Sequence, residues 1–108
     1  MIDKFNQESF QRLHYSLRQL EVFLATARGG STRAAADQIA RSQSAASTSL
    51  AELEAALGVQ LFDRIGRHSE VTPFGREAVA RARQLVGAAD DLRESGAQLA
   101  RGNAGTLR

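Results

Sequence analysis

The chain has 108 residues, of which 43% are hydrophobic, and a formal net charge of +2, so it can form one compact domain with a core. It contains no cysteine, which excludes a disulfide framework and a cysteine-ligated metal site and is typical of a reducing cytoplasm. No apolar run approaches the ~20 residues of a membrane span, and residues 1–11 lack the apolar stretch of a signal peptide. We therefore expect a cytoplasmic protein with no membrane partner.

The basic side chains are almost all arginine, since Lys4 is the single lysine. Guanidinium groups bind phosphates and guanine edges through two parallel hydrogen bonds. The same composition also occurs on ordinary solvated surfaces, so by itself it permits nucleic-acid binding without requiring it.

Residue spacing predicts no catalytic site, no cofactor and no metal. The two histidines, His14 and His68, lack the spacing of metal ligands. The serines have no His/Asp arrangement for nucleophilic catalysis. Gly29-Gly30 lacks the further glycine and lysine of a phosphate-binding loop.

Residues 1–15 are mixed and polar, and we interpret them as an N-terminal extension. The first helix signal follows, because Ser16-Leu17-Arg18-Gln19 fits a capping box in which side chains satisfy the first N–H groups. Apolar residues then recur every three or four positions until Gly29-Gly30, where glycine favours the left-handed conformation that ends helices.

Two further helices are predicted, separated by a short turn. Ser31 caps a helix that runs to about Ala40, and Arg41 lies in the turn. Ser42 caps the next helix, which ends at Gly58. Its apolar face, within about 60° at 100° per residue, is Ala46, Leu50, Leu53 and Leu57. Its opposite face carries small side chains, namely Ser44, Ser47, Thr48, Ala51 and Ala55.

A hairpin and a helix start follow. Leu61-Phe62 is an apolar pair beside charges, and residues 65–71 predict a short hairpin tipped by Gly66-Arg67-His68. Thr72-Pro73 predicts a helix start, because a capping threonine is followed by proline at the first helical position.

The last helix is predicted from Pro73 to about Arg101, which is long for a globular domain, with a loose tail over 102–108. Leucines recur every seven residues along it, and a small residue stands three positions before each leucine, as in a heptad seam. The helix could fold back on its own domain, but its length favours a second copy of the chain as partner. The predicted dimer interface is Val79, Ala82, Leu85, Val86, Ala89, Leu92, Gly96 and Leu99.

Together these elements predict a mainly α fold, with a winged helix-turn-helix headpiece over 16–72 followed by a long linker helix over 73–101. In such a headpiece the second helix of the motif enters the DNA major groove, and the wing lies on the neighbouring backbone or minor groove. Gln43 could bond bidentately to adenine, and Thr48 could offer its methyl group to thymine. The predicted DNA-binding residues are Ser31, Arg33, Arg41, Ser42, Gln43, Ser44, Ser47, Thr48, Arg64, Arg67, His68 and Thr72.

Each of these side chains has a second interpretation. Ser42 caps its helix in either case, the residues that follow it could simply face solvent, and Arg64 could pair with Asp63 or Glu70. The chain as a whole could be a protein–protein module that dimerises through its long helix without specific DNA binding.

An ordered set of motifs from Leu17 to about Val86 resembles the N-terminal DNA-binding domain of LysR-type transcriptional regulators. The motifs run without an obvious insertion over most of the chain. In chain order they are Leu17-Arg18-Gln19-Leu20, Phe23, Gly30-Ser31, Ala35-Ala36, Ser42-Gln43, Ser47, Leu53-Glu54, Leu57-Gly58-Val59, Leu61-Phe62-Asp63-Arg64 and Thr72-Pro73-Phe74-Gly75.

The resemblance implies a non-enzymatic, nucleoid-associated regulator of the bacterial type. It implies dimerisation through antiparallel linker helices and binding to inverted-repeat promoter DNA, usually as a tetramer of the full-length protein. Residues 105–108 resemble the stretch before the first strand of the family's effector-binding domain, so we expect no small-molecule effector site in this chain.

The sequence departs from the family pattern at four positions. The family usually has phenylalanine at Thr32, proline at Ser44, a larger apolar residue at Ala46 and a basic or long polar residue at Thr48. Ser44 and Thr48 lie on the predicted reading face, so the base preference of relatives does not transfer directly.

Overall fold

The structure is a computed structural model that describes residues 14–30, 42–65 and 68–106, with the backbone alone at 68 and 103–106. Within these ranges the elements are α1, Leu17–Gly29; α2, Gln43–Leu57; β1, Phe62–Ile65; β2, His68–Val71; and α3, Pro73–Thr106. The predicted helix over 31–40 lies outside the described residues. The described residues confirm the prediction of a mainly α headpiece with a two-stranded hairpin, followed by a long helix.

The ends of α1 and α2 lie where short-range signals predict them. Ser16 Oγ accepts the N–H of Gln19 at 3.2 Å, and Gln19 Oε1 accepts the N–H of Ser16 at 2.9 Å, which completes the capping box. Ser42 Oγ accepts an N–H from the first turn of α2 at 3.1 Å. Gly30 and Gly58 follow the two helices with φ angles of 82° and 78°, in the left-handed region that favours glycine.

The core lies where α1 packs against both α2 and α3. Phe23, Leu53 and Leu61 are fully buried there. The ring of Phe23 meets that of Phe62 edge to face, with 5.6 Å between centroids and 67° between planes. Ala82 of α3, 2% exposed, completes the cluster, so the long helix is part of the headpiece core before it extends beyond it.

Side-chain hydrogen bonds hold the segment between α2 and β1. Glu54 Oε2 accepts the N–H groups of Leu61 at 2.7 Å and Phe62 at 3.3 Å. On the other side of this segment, the Thr72 hydroxyl donates to the Gln60 carbonyl at 2.8 Å, and the Thr72 N–H donates to the Leu61 carbonyl at 3.0 Å. The segment before β1 is therefore joined to α2 on one side and to the residue that precedes α3 on the other.

The hairpin begins earlier in the chain than predicted. β1 begins at Phe62 instead of Ile65, and it pairs antiparallel to β2 with Phe62 opposite Val71 and Ile65 opposite His68. The backbone of His68 thus belongs to β2, and the tip is confined to residues 66 and 67, outside the described residues. The reason is burial: Phe62 is 8% exposed because its ring packs on Phe23, which brings the start of the strand into the core.

The long helix also exceeds its predicted length. α3 ends at Thr106 and not near Arg101, so residues 102–106 are helical and not a loose tail. No proline interrupts this region, and the Arg101 guanidinium pairs back with Glu94 at 3.5 Å. Among the described helices, none combines the length and the apolar character that a membrane crossing requires.

Candidate nucleic-acid interface

The N-terminal half of α2 presents a face of small polar side chains. Gln43, Ser44, Ser47 and Thr48 are exposed, and their spacing places them on one side of the helix. Residues 42–51 contain no acidic side chain, so an approaching phosphate meets no carboxylate on this half of the helix. A helix with these properties can lie close against a polyanion.

The opposite face of α2 packs on α1. Ala46 is fully buried beside Val22, in a small cluster next to the main core. The Gln19 amide donates to Glu52 Oε1 at 2.9 Å and links the two helices on their exposed side. Ser49, 7% exposed, also faces inward, which the sequence did not predict because serine is usually a surface residue.

The hairpin, which corresponds to the wing, carries Arg64 on one face and the acidic residues Asp63 and Glu70 on the other. Arg64 is exposed and lies opposite Ser69, and the alternation of strand residues places both on the face that carries Phe62. Asp63 and Glu70 lie opposite each other on the other face. In the described part of the chain, no ion pair joins Arg64 to either carboxylate, so its guanidinium N–H groups can donate to a phosphate.

Contacts with α2 and with the end of α1 fix where the wing lies. The N–H of Ser69 donates to the carbonyl of Gly30, the residue after α1, at 3.3 Å. Glu54 holds the start of β1 against α2, as described above. Sequence reasoning missed both contacts, because each joins two different elements and no local pattern shows how elements pack.

The structure describes only some of the remaining predicted DNA-binding residues. Ser31, Arg33, Arg41 and Arg67 lie outside the described residues, and only the backbone of His68 is described. Ser42 is exposed and caps α2. Thr72 is half-buried, and its hydroxyl accepts the N–H of Gly75 at 2.9 Å while donating to Gln60, so both of its bonds are internal.

The predicted dimer-interface residues differ in burial along α3. The set that packs on the headpiece core is Val79, Ala82 and Val86. The exposed set is Leu85, Leu92 and Leu99, with 47%, 75% and 65% of their surface accessible. Ala89 is half-buried and Gly96 is exposed between them. Ala82 therefore serves its own headpiece, and the surface left for a partner is the exposed set, which we call the leucine face.

No metal site forms in the part of the chain that the structure describes, where no three potential ligand side chains come together. A capped helix with an exposed polar face, packed on a preceding helix and followed by a two-stranded wing, defines the winged helix-turn-helix class.

The family follows from sequence comparison. The sequence model of the bacterial regulatory helix-turn-helix proteins of the lysR family matches residues 17–76, which is more than half of the chain. The chain belongs to this family, whose members are transcriptional regulators and not enzymes.

Individual relatives agree with this assignment. The "Uncharacterized HTH-type transcriptional regulator YeiE" of Escherichia coli (strain K12) is 44% identical over 96 residues, which cover 89% of this chain and 31% of that protein. The chain thus spans less than a third of the length of this relative.

Two solved structures with a similar fold contain DNA. The BenM DNA-binding domain in complex with catB site 1 DNA has a TM-score of 0.74 and 30% identity, and the match covers 79% of this chain and 94% of that one. The CbnR DNA-binding domain in complex with DNA has a TM-score of 0.73 and 33% identity, and the match covers 79% and 98%.

Proposed function

We propose that this chain binds double-stranded DNA sequence-specifically as the DNA-binding part of a LysR-type transcriptional regulator. The observation that carries the proposal is the N-terminal face of α2, which is exposed, small and free of acids, while its opposite face is buried on α1. A helix held in this way can enter the major groove with its side chains directed at base edges. The similarity to two domains bound to DNA supports the proposal.

Different side chains carry different parts of the recognition. Gln43 presents an amide whose donor and acceptor match the edge of adenine, and Thr48 presents both a hydroxyl and a methyl group. Arg64 of the wing would bind a phosphate, which positions the protein but carries no sequence information. We assign the same positioning role to Arg33, Arg41 and Arg67.

We further propose that two copies pair through the leucine face of α3. Three leucines with at least 47% of their surface accessible, at heptad spacing, form an apolar strip that a monomer leaves in water. A two-fold dimer would present two α2 helices and so match an inverted-repeat promoter site, with a tetramer possible in a full-length protein. A protein with this function would be bound to the DNA in the cytoplasm of a bacterial cell.

Selection of bound sites from a random duplex pool, followed by fluorescence-anisotropy titration, tests the DNA-binding proposal. We expect Gln43→Ala to relax base preference at one position of the selected site and Arg64→Ala to weaken all duplexes by a similar factor. Uniform losses for both variants would contradict the assigned roles. No binding to any duplex would contradict the function and favour a protein–protein module.

A further inference from the structure

The arginines of the described residues divide into those with a carboxylate partner and those without. On α1, Arg18 pairs with Glu21 at 3.2 Å. The pairs on α3 are Arg81 with Glu77 at 3.0 Å, Arg93 with Asp90 at 3.0 Å and Arg101 with Glu94 at 3.5 Å. Arg28, Arg76 and Arg83, like Arg64 of the wing, have no carboxylate partner within the described ranges, and the first three line one groove between α1 and α3.

We call this surface the arginine groove. Arg28, Arg76 and Arg83 lie around its edge, and its floor is apolar. The floor consists of half-buried side chains from three elements, including Leu24 of α1, Val71 of β2 and Val79 of α3. Arg76 and Arg83 stand on the same face of α3 as Val79, and Arg28 reaches the groove from the last turn of α1. Three exposed cations therefore surround an apolar strip.

The arginine groove is separate from the surfaces assigned to DNA and to dimerisation. Arg83 and Leu85 lie about 160° apart around α3 at 100° per residue, so a partner on the leucine face leaves the groove open. No residue of α2 lines the groove. Val71 of β2 lines the groove and belongs to the wing. A DNA backbone that passes the wing could therefore also occupy the groove, and it is the alternative to a protein segment.

We propose that the arginine groove docks an acidic, amphipathic segment of another protein. Guanidinium groups pair bidentately with carboxylates, and the apolar floor would receive a leucine-like side chain of the same segment. A DNA backbone presents charge but no apolar side chain for the floor, which favours the protein segment. The groove thus gives this protein a protein-binding surface beyond its DNA-binding function.

Fluorescence anisotropy with a labelled synthetic helical peptide, carrying glutamates and leucines on one face, tests the proposal. We expect the double variant Arg76→Ala/Arg83→Ala to lose affinity by about tenfold or more, because two charge-assisted contacts disappear. The matched control Arg93→Ala/Arg101→Ala removes the same charge from α3 outside the groove and should stay within about twofold of the parent. Equal losses in both variants would show general charge attraction and overturn the proposal.

Two further measurements use the unaltered protein. A peptide with serine in place of its leucines should bind more weakly, and a peptide with lysine in place of its glutamates should not bind. Unchanged binding of either peptide overturns the proposed partner chemistry without depending on the folding of a variant.

A titration with duplex DNA tests whether a DNA backbone, and not a protein segment, occupies the arginine groove. We expect the two double variants to bind the same duplex with equal affinity. A selective loss for Arg76→Ala/Arg83→Ala would place a DNA backbone in the arginine groove and overturn the proposal, while leaving the DNA-binding function intact.

Discussion

Gly75 is a buried residue of α3 that lies directly against the backbone of Leu61. A Cβ atom there would collide with the Leu61 carbonyl oxygen and lie 2.6 Å from Val71 Cγ1. Glycine inside a helix costs about 1 kcal/mol relative to alanine. At this position the close approach of the Leu61 backbone leaves no room for a side chain.

Replacement of Gly75 by alanine should therefore destabilise the protein, although alanine has the higher helix propensity. We expect Gly75→Ala to lower the free energy of unfolding by about 1–3 kcal/mol, the cost of forcing extra volume into a packed site. Gly87→Ala, on the same helix with nothing within 4 Å of its Cβ, should raise it by about 1 kcal/mol. Urea denaturation followed by circular dichroism measures both, and stabilisation by both variants would contradict the packing at Gly75.

Ser44 and Thr48 lie on the face of α2 that we propose contacts DNA. Both are exposed on the same side of α2, so their departures from the family pattern alter what the helix offers to DNA and not how it packs. Ala46 also departs from that pattern, but it is fully buried beside Val22, where a small residue lets α2 lie close to α1.

At the scale of elements, Glu54 determines how α2 and the wing are joined. One carboxylate oxygen accepts two successive backbone N–H groups at the start of β1, and those groups are partly buried. The position of Arg64, two residues into the same strand, depends on this bond. The wing is therefore positioned by a helix side chain as well as by its own strand pairing.

Removal of that carboxylate should destabilise the headpiece. We expect Glu54→Ala to lower the free energy of unfolding by about 1–3 kcal/mol, because two backbone donors lose their acceptor. The matched control is Glu52→Ala on the same helix, which loses one exposed side-chain bond to Gln19 and should cost no more than about 0.5 kcal/mol. Thermal unfolding compares the two, and similar losses would show that the Glu54 bond adds nothing.

At the scale of the whole molecule, α3 has two faces with different surroundings. One face, with Ala82 at its centre, closes the core of the headpiece. The leucine face lies beside it and is exposed from Leu85 to Leu99. The long helix therefore couples the position of the headpiece to the proposed dimer axis through a single rigid element.

A charge placed on the leucine face tests the proposed dimer. We expect Leu92→Arg to convert a dimer into a monomer, because pairing would bury an unpartnered guanidinium. Leu92 is 75% exposed in the monomer, so the headpiece should unfold as before. Gln98→Arg adds the same charge to an exposed site away from the leucine face and should leave the dimer intact. Light scattering after size-exclusion chromatography measures the mass, and an unchanged mass for Leu92→Arg would refute the interface.

The sequence by itself determined where the described helices begin and where α1 and α2 end, as well as the exposed face of α2. Capping at Ser16, Ser42 and Thr72 and the left-handed glycines depend on bonds that span only a few residues, so short patterns predict them. The exposure of Gln43 and its neighbours follows in the same way from helical periodicity.

The tertiary structure alone decided which parts of the heptad pattern are core and which remain exposed. It also decided that β1 begins at Phe62, that Glu54 holds the wing and that three arginines with no carboxylate partner among the described residues line one groove. Each of these depends on contacts between different elements, such as that of Phe62 in β1 with Phe23 in α1. Such contacts form only when elements pack together, and packing depends on the shapes of several side chains at once, which local patterns do not contain.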